Sequence, residues 1–222
     1  MKKQYRLIMA IAASILFVFL CSCASGERTD QPAYEPDTLV VTFEYEKQSG
    51  YASNQFAVWI EDMDGKLIKT LYATRFTVGG GYKDRPESIP TWAEKAGLAS
   101  MEKSETDAVS GATPKIGTLS YTWDLTDKNG GAVALGEYRF IVEGSLRWKN
   151  RVVYSGAVDI GGAAVTVQAG ADFVYEASGG QAALTEDSPE NNMIGAVTAS
   201  FAPAPENGPE NRRFCARRYM PA

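Results

Sequence analysis

The sequence predicts an all-β protein: an immunoglobulin-like β-sandwich with one long inserted loop that carries at most one short helix. Short segments rich in β-branched and aromatic residues alternate between apolar and polar side chains with a period of two, which is typical of strands. Turn-forming residues separate these segments, and helical periodicity is nearly absent. The chain of 222 residues is long enough for one large β-domain.

The first half of the domain begins with a strand and a hairpin. Residues 39–46 alternate in this way, and residues 56–60 repeat the pattern. The acidic residues and the glycine of 62–65 are typical of a tight turn. Residues 66–73 are therefore predicted to return as the partner strand of the hairpin.

The second half continues with strands. Residues 118–125 predict a strand, and the turn residues 127–131 connect it to a strand at 137–143. Further strands are predicted at 151–159, 163–168, 171–177 and 193–201. Residues 146–201 could complete the same sandwich or form a second small sheet. Their few apolar strand positions favour the first arrangement, so we place the sandwich domain at residues 38–202.

Residues 74–117 form an insertion that is too long for an ordinary connection between strands. Loops beyond about 15 residues within a compact domain are usually functional or disordered. Phe76, Tyr82 and Trp92 make this one too aromatic for a disordered linker. We expect it to fold back over the sandwich, with one short helix over Thr91–Leu98, and to carry the function.

The N-terminal segment is typical of an export signal. Basic residues precede the apolar run of residues 7–20, which is shorter than the roughly 20 residues needed to span a bilayer. The Leu-Cys-Ser-Cys sequence that ends at Cys23 resembles a bacterial lipobox. This implies removal of residues 1–22 and lipidation of Cys23, with a plain secretory leader as the alternative. We expect an extracytosolic protein with a flexible tether at 23–37 and a lipid anchor in the membrane.

The composition excludes several classes of site. The chain has no histidine, which rules out catalytic triads that use histidine and metal sites with histidine ligands. Of its three cysteines only Cys215 is left unassigned, so neither a disulfide nor a cysteine-ligated metal is expected, and we identify no catalytic residue. The net charge of −5 argues against nucleic acid as a partner. The Pro- and Arg-rich tail 203–222 is expected to be disordered.

One hairpin sequence carries a first resemblance. Trp123–Gly130 followed by Gly136–Tyr138 is similar to the W-D-x-x-D-x-x-G…G-x-Y hairpin of immunoglobulin-like domains in flagellar hook-capping and other exported bacterial proteins. The tryptophan and the tyrosine are expected to pack on the same apolar layer. This motif indicates a fold rather than a function.

Residues 107–113 carry a second resemblance. Asp107, Ser110, Gly111, Ala112 and Thr113 match every fixed position of the D-x-x-[S/T]-G-A-T motif of extracytosolic flavoproteins. In those proteins a flavin transferase joins FMN to the threonine hydroxyl through a phosphodiester. The resemblance implies covalent FMN on Thr113. A plain turn that leads into the next strand is the alternative interpretation of the same residues.

The wider layout resembles an uncharacterised family of predicted periplasmic proteins. The matching segments are Val58–Lys66, Gly80–Pro86 and Asp107–Pro114, followed by the hairpin described above. The resemblance covers roughly residues 38–145. It strengthens the interpretation of the acceptor motif because the motif stands in the same order among the same neighbours.

The resemblance also suggests surroundings for the flavin. Aromatic candidates for stacking on the ring are Trp92, Tyr82 and Phe76, and basic candidates for the phosphate are Lys83, Arg85 and Lys115. Asp107 could orient the acceptor or contact a metal of the transferase. The residue types alone favour a packing role for Trp92 and Tyr82 and a solvated loop face for Lys83 and Arg85.

Two functions from different classes follow. The first is a membrane-anchored electron-transfer protein that carries FMN on Thr113 and exchanges electrons with a membrane-bound redox partner, as a carrier subunit rather than a stand-alone enzyme. The second is an immunoglobulin-like binding or structural module of the cell envelope, without a cofactor. The acceptor motif favours the first.

Overall fold

The computed structural model describes residues 37–204, which form ten strands in two sheets. The strands are β1 Thr38–Tyr45, β2 Gln55–Glu61, β3 Leu67–Thr74, β4 Ser110–Gly111, β5 Gly117–Trp123, β6 Glu137–Arg147, β7 Asn150–Asp159, β8 Val165–Gln168, β9 Gly170–Val174 and β10 Thr198–Ala202. One sheet has the order β5-β1-β10-β8, and the other has the order β4-β3-β2-β6-β7-β9. The prediction of an all-β sandwich is confirmed.

The strands in the last third of the described chain are divided between the two sheets. Strands β7 and β9 extend the six-stranded sheet, whereas β8 and β10 extend the four-stranded one. The first and last strands pair with each other, with Thr38 opposite Ala202. Residues 146–201 therefore complete the same sandwich, the first of the two arrangements that the sequence left open.

The main core lies between the sheets. Its residues are those that the alternation of apolar and polar side chains along each strand places on the inner face. Alternate residues of β1 (Leu39, Val41 and Phe43) are buried against the facing sheet. At one end of the core, the rings of Trp123 and Tyr138 meet edge to face with centroids 5.1 Å apart. This contact agrees with the expectation that the two aromatic residues of the hairpin motif share one apolar layer.

The insertion contains more helix than predicted. Within residues 74–117 there are three short α-helices, namely α1 Arg75–Val78, α2 Pro90–Lys95 and α3 Lys103–Val109, and two 3₁₀ turns, Gly81–Lys83 and Leu98–Ser100. Only α2 falls where a helix was predicted. Helices of four to seven residues are too short to show a helical period in the sequence. The visible signal was a reciprocal capping box between Glu102 and Glu105 at the start of α3.

The insertion covers the outer face of the six-stranded sheet and creates a second core there. Sheet residues including Trp59 and Ile141 pack against insertion residues including Ile89, Trp92 and Leu98. Strand β2 is consequently buried on both faces, although its alternating pattern is typical of a half-exposed strand. This second core fixes the insertion to the sandwich, as expected from its aromatic content.

Other sequence predictions fall outside the described residues. The leader 1–22, the lipidation site Cys23, the tether up to residue 36, the lone Cys215 and the tail from residue 205 onward all lie there. Within residues 37–204, no helix has both the length and the apolar character needed to cross a membrane.

Candidate functional site

The predicted acceptor segment crosses from one sheet to the other at the side of the sandwich. Strand β4 pairs in parallel with the end of β3, so that Ser110 lies opposite Ala73 and Gly111 lies opposite Thr74. The chain then runs through residues 112–116 into β5. Because β4 and β5 are edge strands of their sheets, this segment lies at the rim of the fold. Ala112 and Thr113 are exposed there.

The side chain of Tyr72 lies directly against this segment. Its hydroxyl donates to the carbonyl oxygen of Ala112 at 2.9 Å and reaches that of Gly111 at 3.4 Å. Its ring is buried and stacks on Phe56, with centroids 4.9 Å apart, and contacts Tyr121 at 5.0 Å. Burial is the main cause that raises the pKa of Tyr72, so the phenol remains a donor throughout the usual pH range.

Gly111 is required by this close approach rather than by an unusual backbone angle. A Cβ at this position would overlap Cε2 of Tyr72 and lie 3.0 Å from Cδ2. Both atoms belong to a ring that is fixed on its other side by the core, so the ring has little freedom to move away.

We expect Gly111→Ala to detach β4 from its position and to lower the free energy of unfolding by about 1–3 kcal/mol, the usual cost of overpacking. Thermal or urea unfolding measures this change. Gly170→Ala is the matched control, because a Cβ in β9 would meet its nearest neighbour at 4.0 Å. Equal stability of the two variants would show that Tyr72 does not restrict position 111.

Asp107 lies on α3, before the acceptor segment. Its carboxylate accepts a hydrogen bond from Nζ of Lys103 at 2.6 Å, one helical turn earlier. Both side chains are largely exposed, so this ion pair adds little stability. The structure pairs Asp107 with Lys103, and the carboxylate remains accessible to solvent.

Helix α1 contacts both β4 and the turn at Gly81–Lys83. It begins directly after Thr74, the residue opposite Gly111, and it lies against β4. Phe76 of α1 is 43% exposed, and its ring packs on the backbone of Gly81. The guanidinium of Arg85 lies over the same ring, 5.1 Å from its centroid.

The basic residues of this loop differ in their surroundings. Nζ of Lys83 is exposed and lies 5.9 Å from the centroid of the half-buried Tyr82 ring. Arg85 is mostly buried, with Glu87 at 3.8 Å as its ion-pair partner. Within the described residues, Nε and Nη2 of Arg85 are buried without a hydrogen-bond acceptor. Such donors are suited to an oxygen-rich anion.

Trp92 does not present a ring face to solvent. It is fully buried in the second core, and its indole N–H donates to Oγ1 of Thr70 at 3.1 Å. The structure therefore gives this residue a packing position, the alternative that the sequence allowed. Phe76 is by contrast 43% exposed, and it belongs to α1, the helix that contacts β4.

Two carboxylates beneath the insertion were not singled out from the sequence. Glu143 of β6 is fully buried and accepts the backbone N–H groups of Thr91 and Trp92, at 3.1 and 2.8 Å, at the start of α2. Glu61 of β2 accepts from the indole of Trp59 at 2.7 Å and pairs with Lys95 at 2.8 Å. Both occupy strand positions that would face solvent if the insertion did not cover them.

The environment of Glu143 perturbs its ionisation. Burial raises the pKa of this carboxyl group, and the hydrogen bonds from Trp92 and Thr91 and the charge of Arg151 oppose that effect. Its position beneath the insertion indicates that it attaches α2 to the sheet. Within residues 37–204, no three acidic or cysteine side chains group as ligands for a metal ion.

Comparison with protein families identifies one match. Residues 38–175 match the family model described as predicted periplasmic protein, DUF2271. This is more than half of the chain and runs from β1 to the end of β9. The chain belongs to the DUF2271 family. The family assignment supports an extracytosolic location.

The DUF2271 match extends further than the resemblance seen in the sequence, to residue 175 instead of residue 145. It therefore includes the acceptor segment, the covering insertion and most of the sandwich. No curated protein and no solved structure matched the chain in the corresponding comparisons. The family description gives a location and leaves the activity to be inferred from the site.

Proposed function

We propose that this DUF2271 protein is an extracytosolic electron carrier with FMN joined covalently to Thr113 by a flavin transferase. The observation that carries the proposal is the position of Thr113. It is exposed on a short segment at the rim of the sandwich, directly after a glycine and an alanine. An acceptor must offer its hydroxyl to the active site of another enzyme, and small neighbours leave room for a bulky flavin phosphate.

The chemistry of attachment explains the need for a separate enzyme. A threonine hydroxyl is a weak nucleophile at neutral pH, and among the described residues no side chain hydrogen-bonds the hydroxyl of Thr113. In the proposed reaction Oγ1 of Thr113 forms a bond to the flavin phosphorus of a flavin dinucleotide donor. The phosphoanhydride bond breaks, the nucleoside monophosphate leaves, and the hydroxyl proton passes to a base of the transferase.

Several residues named from the sequence would be available to a flavin joined to Thr113. The exposed ring of Phe76 offers an apolar surface for the flavin, and Tyr82 lies in the adjoining turn. Lys83 and Lys115 are exposed and offer positive charge to the phosphate, whereas Nε and Nη2 of Arg85 are buried and would have to become accessible before they could bind it. Trp92 is omitted from the proposed contacts because it is fully buried.

The bound flavin would supply the redox chemistry. The chain would bind and orient it at the rim of the fold, where a membrane-bound redox partner can approach. We further propose, from the lipobox sequence, that Cys23 carries the lipid anchor that keeps the carrier at the membrane.

Co-expression of the exported chain with a bacterial flavin transferase tests this function. We expect a yellow protein whose intact mass increases by one FMN less one water, and which fluoresces as a flavin after denaturing electrophoresis. Cells without the transferase provide the control and should yield the unmodified mass. An unmodified chain in both strains would contradict the proposal and favour the binding module of the cell envelope.

A further inference from the structure

The hydroxyl of Tyr72 makes a contact that core packing alone does not require. Within the described residues, no other side chain donates a hydrogen bond to residues 111–116. The acceptor is the carbonyl oxygen of Ala112, the residue directly before Thr113. A phenylalanine would fill the same space between Phe56 and Tyr121. The hydroxyl therefore acts on the acceptor segment rather than on the core.

Tyr72 contacts both of the strands that the segment joins. Tyr72 belongs to β3, whose end pairs with β4, and so it lies beside the start of the segment. Its ring contacts Tyr121 of β5, the strand into which the segment runs. The phenol thus lies where the segment leaves one sheet and enters the other.

The close fit of Gly111 supports the same interpretation. The backbone of Gly111 lies so near the ring of Tyr72 that a side chain is excluded. The parallel pairing with Thr74, also in β3, holds this residue next to the ring. Residues 110–112 are consequently held from two sides, whereas Thr113 projects into solvent immediately after them.

We propose that Tyr72 is the positioning residue of the acceptor site: its hydrogen bond to Ala112 holds the segment in the conformation in which a flavin transferase takes up Thr113. This inference rests on the proposed function. A segment that is already ordered loses less conformational freedom when the transferase binds it, which lowers the KM for the acceptor protein. The nucleophile itself is unchanged, so kcat should not depend on Tyr72.

Tyr72→Phe in the full chain tests the proposal, with Tyr121→Phe as the matched control. Both substitutions remove one phenol oxygen from the same aromatic cluster, but the hydroxyl of Tyr121 does not bond the acceptor segment in the described structure. Two measurements are needed. They are amide hydrogen exchange of β4, residues 110–111 of the segment, without transferase, and the kinetics of flavin attachment at varied concentrations of the acceptor protein.

For Tyr72→Phe we expect hydrogen exchange of the segment to become roughly three- to tenfold faster, the effect of losing one hydrogen bond. The KM for the acceptor protein should rise by a similar factor, with kcat and the final extent of modification unchanged. Tyr121→Phe should match the wild type in both measurements.

Unchanged exchange in Tyr72→Phe would overturn the proposal, and so would equal effects of the two substitutions, because they would indicate a general loss of stability. If the wild-type chain accepts no flavin, the proposed function fails. The exchange measurement would then still decide whether Tyr72 fixes the segment.

Discussion

Replacing Thr113 by alanine is expected to abolish the attachment of FMN while leaving the fold unchanged. The substitution removes the one oxygen to which the flavin phosphate would be joined. Thr113 is exposed, and its side chain makes no hydrogen bond within the described residues, so its loss should not alter stability. Intact mass and flavin fluorescence after co-expression with the transferase measure the effect, and thermal unfolding checks the fold.

Two further variants serve as controls for this experiment. Thr122→Ala removes a comparable exposed threonine from β5 and should be modified as fully as the wild type. Thr113→Ser keeps a hydroxyl at the same place and should retain attachment. Flavin on the Thr113→Ala variant would place the acceptor elsewhere and refute the assignment.

Replacing Glu143 by alanine is expected to give the largest loss of stability. The carboxylate is buried between β6 and the insertion, where it accepts two backbone N–H groups at the start of α2 and lies 3.8 Å from Nε of Arg151. Its removal leaves these groups buried without their partner. Breaking a buried charged pair in this way typically costs about 3–5 kcal/mol.

Urea unfolding of Glu143→Ala should show this loss, and tryptophan fluorescence should report release of the insertion, because Trp92 follows Thr91 at the attachment point. Glu137→Ala is the matched control, since it removes an exposed glutamate from the same strand and should change stability by less than about 0.5 kcal/mol. Equal stability of the two variants would show that Glu143 does not attach the insertion.

The ionisation of Glu143 predicts how stability depends on pH. Burial raises its pKa in the folded protein, so between the ordinary glutamate pKa and the raised value the folded chain binds more protons than the unfolded chain. This contribution to stability is fully present below the ordinary pKa and is lost as the pH rises through the raised one. Thermal unfolding from pH 4 to 8 should therefore show a decline that Glu143→Gln reduces and Glu137→Gln does not.

The sandwich could be predicted from the sequence because alternation along each strand depends on local residues. The insertion could be recognised by its length and aromatic content, but its orientation could not. Trp92 and Phe76 are both aromatic residues of the insertion, and only the packing on Trp59 and Ile141 shows that Trp92 is buried and Phe76 is exposed.

Tyr72 and Glu143 were missed for a related reason. Tyr72 resembles any aromatic residue of a hairpin strand, and its contact with Ala112 spans 40 residues of sequence. Glu143 occupies a strand position that is normally solvated, and its burial depends on α2, which is 51 residues away along the chain. Local sequence patterns carry no information about contacts between residues so far apart in the chain.

Identification of the modified residue tests the central claim most directly. Cleavage after Lys103 and Lys115 releases the peptide 104–115, whose hydroxyl residues are Ser104, Thr106, Ser110 and Thr113. Fragmentation of this peptide from the co-expressed protein should assign the mass of one FMN less one water to Thr113. An unmodified peptide from a flavin-bearing protein, or a flavin on one of the other three residues, would contradict the account.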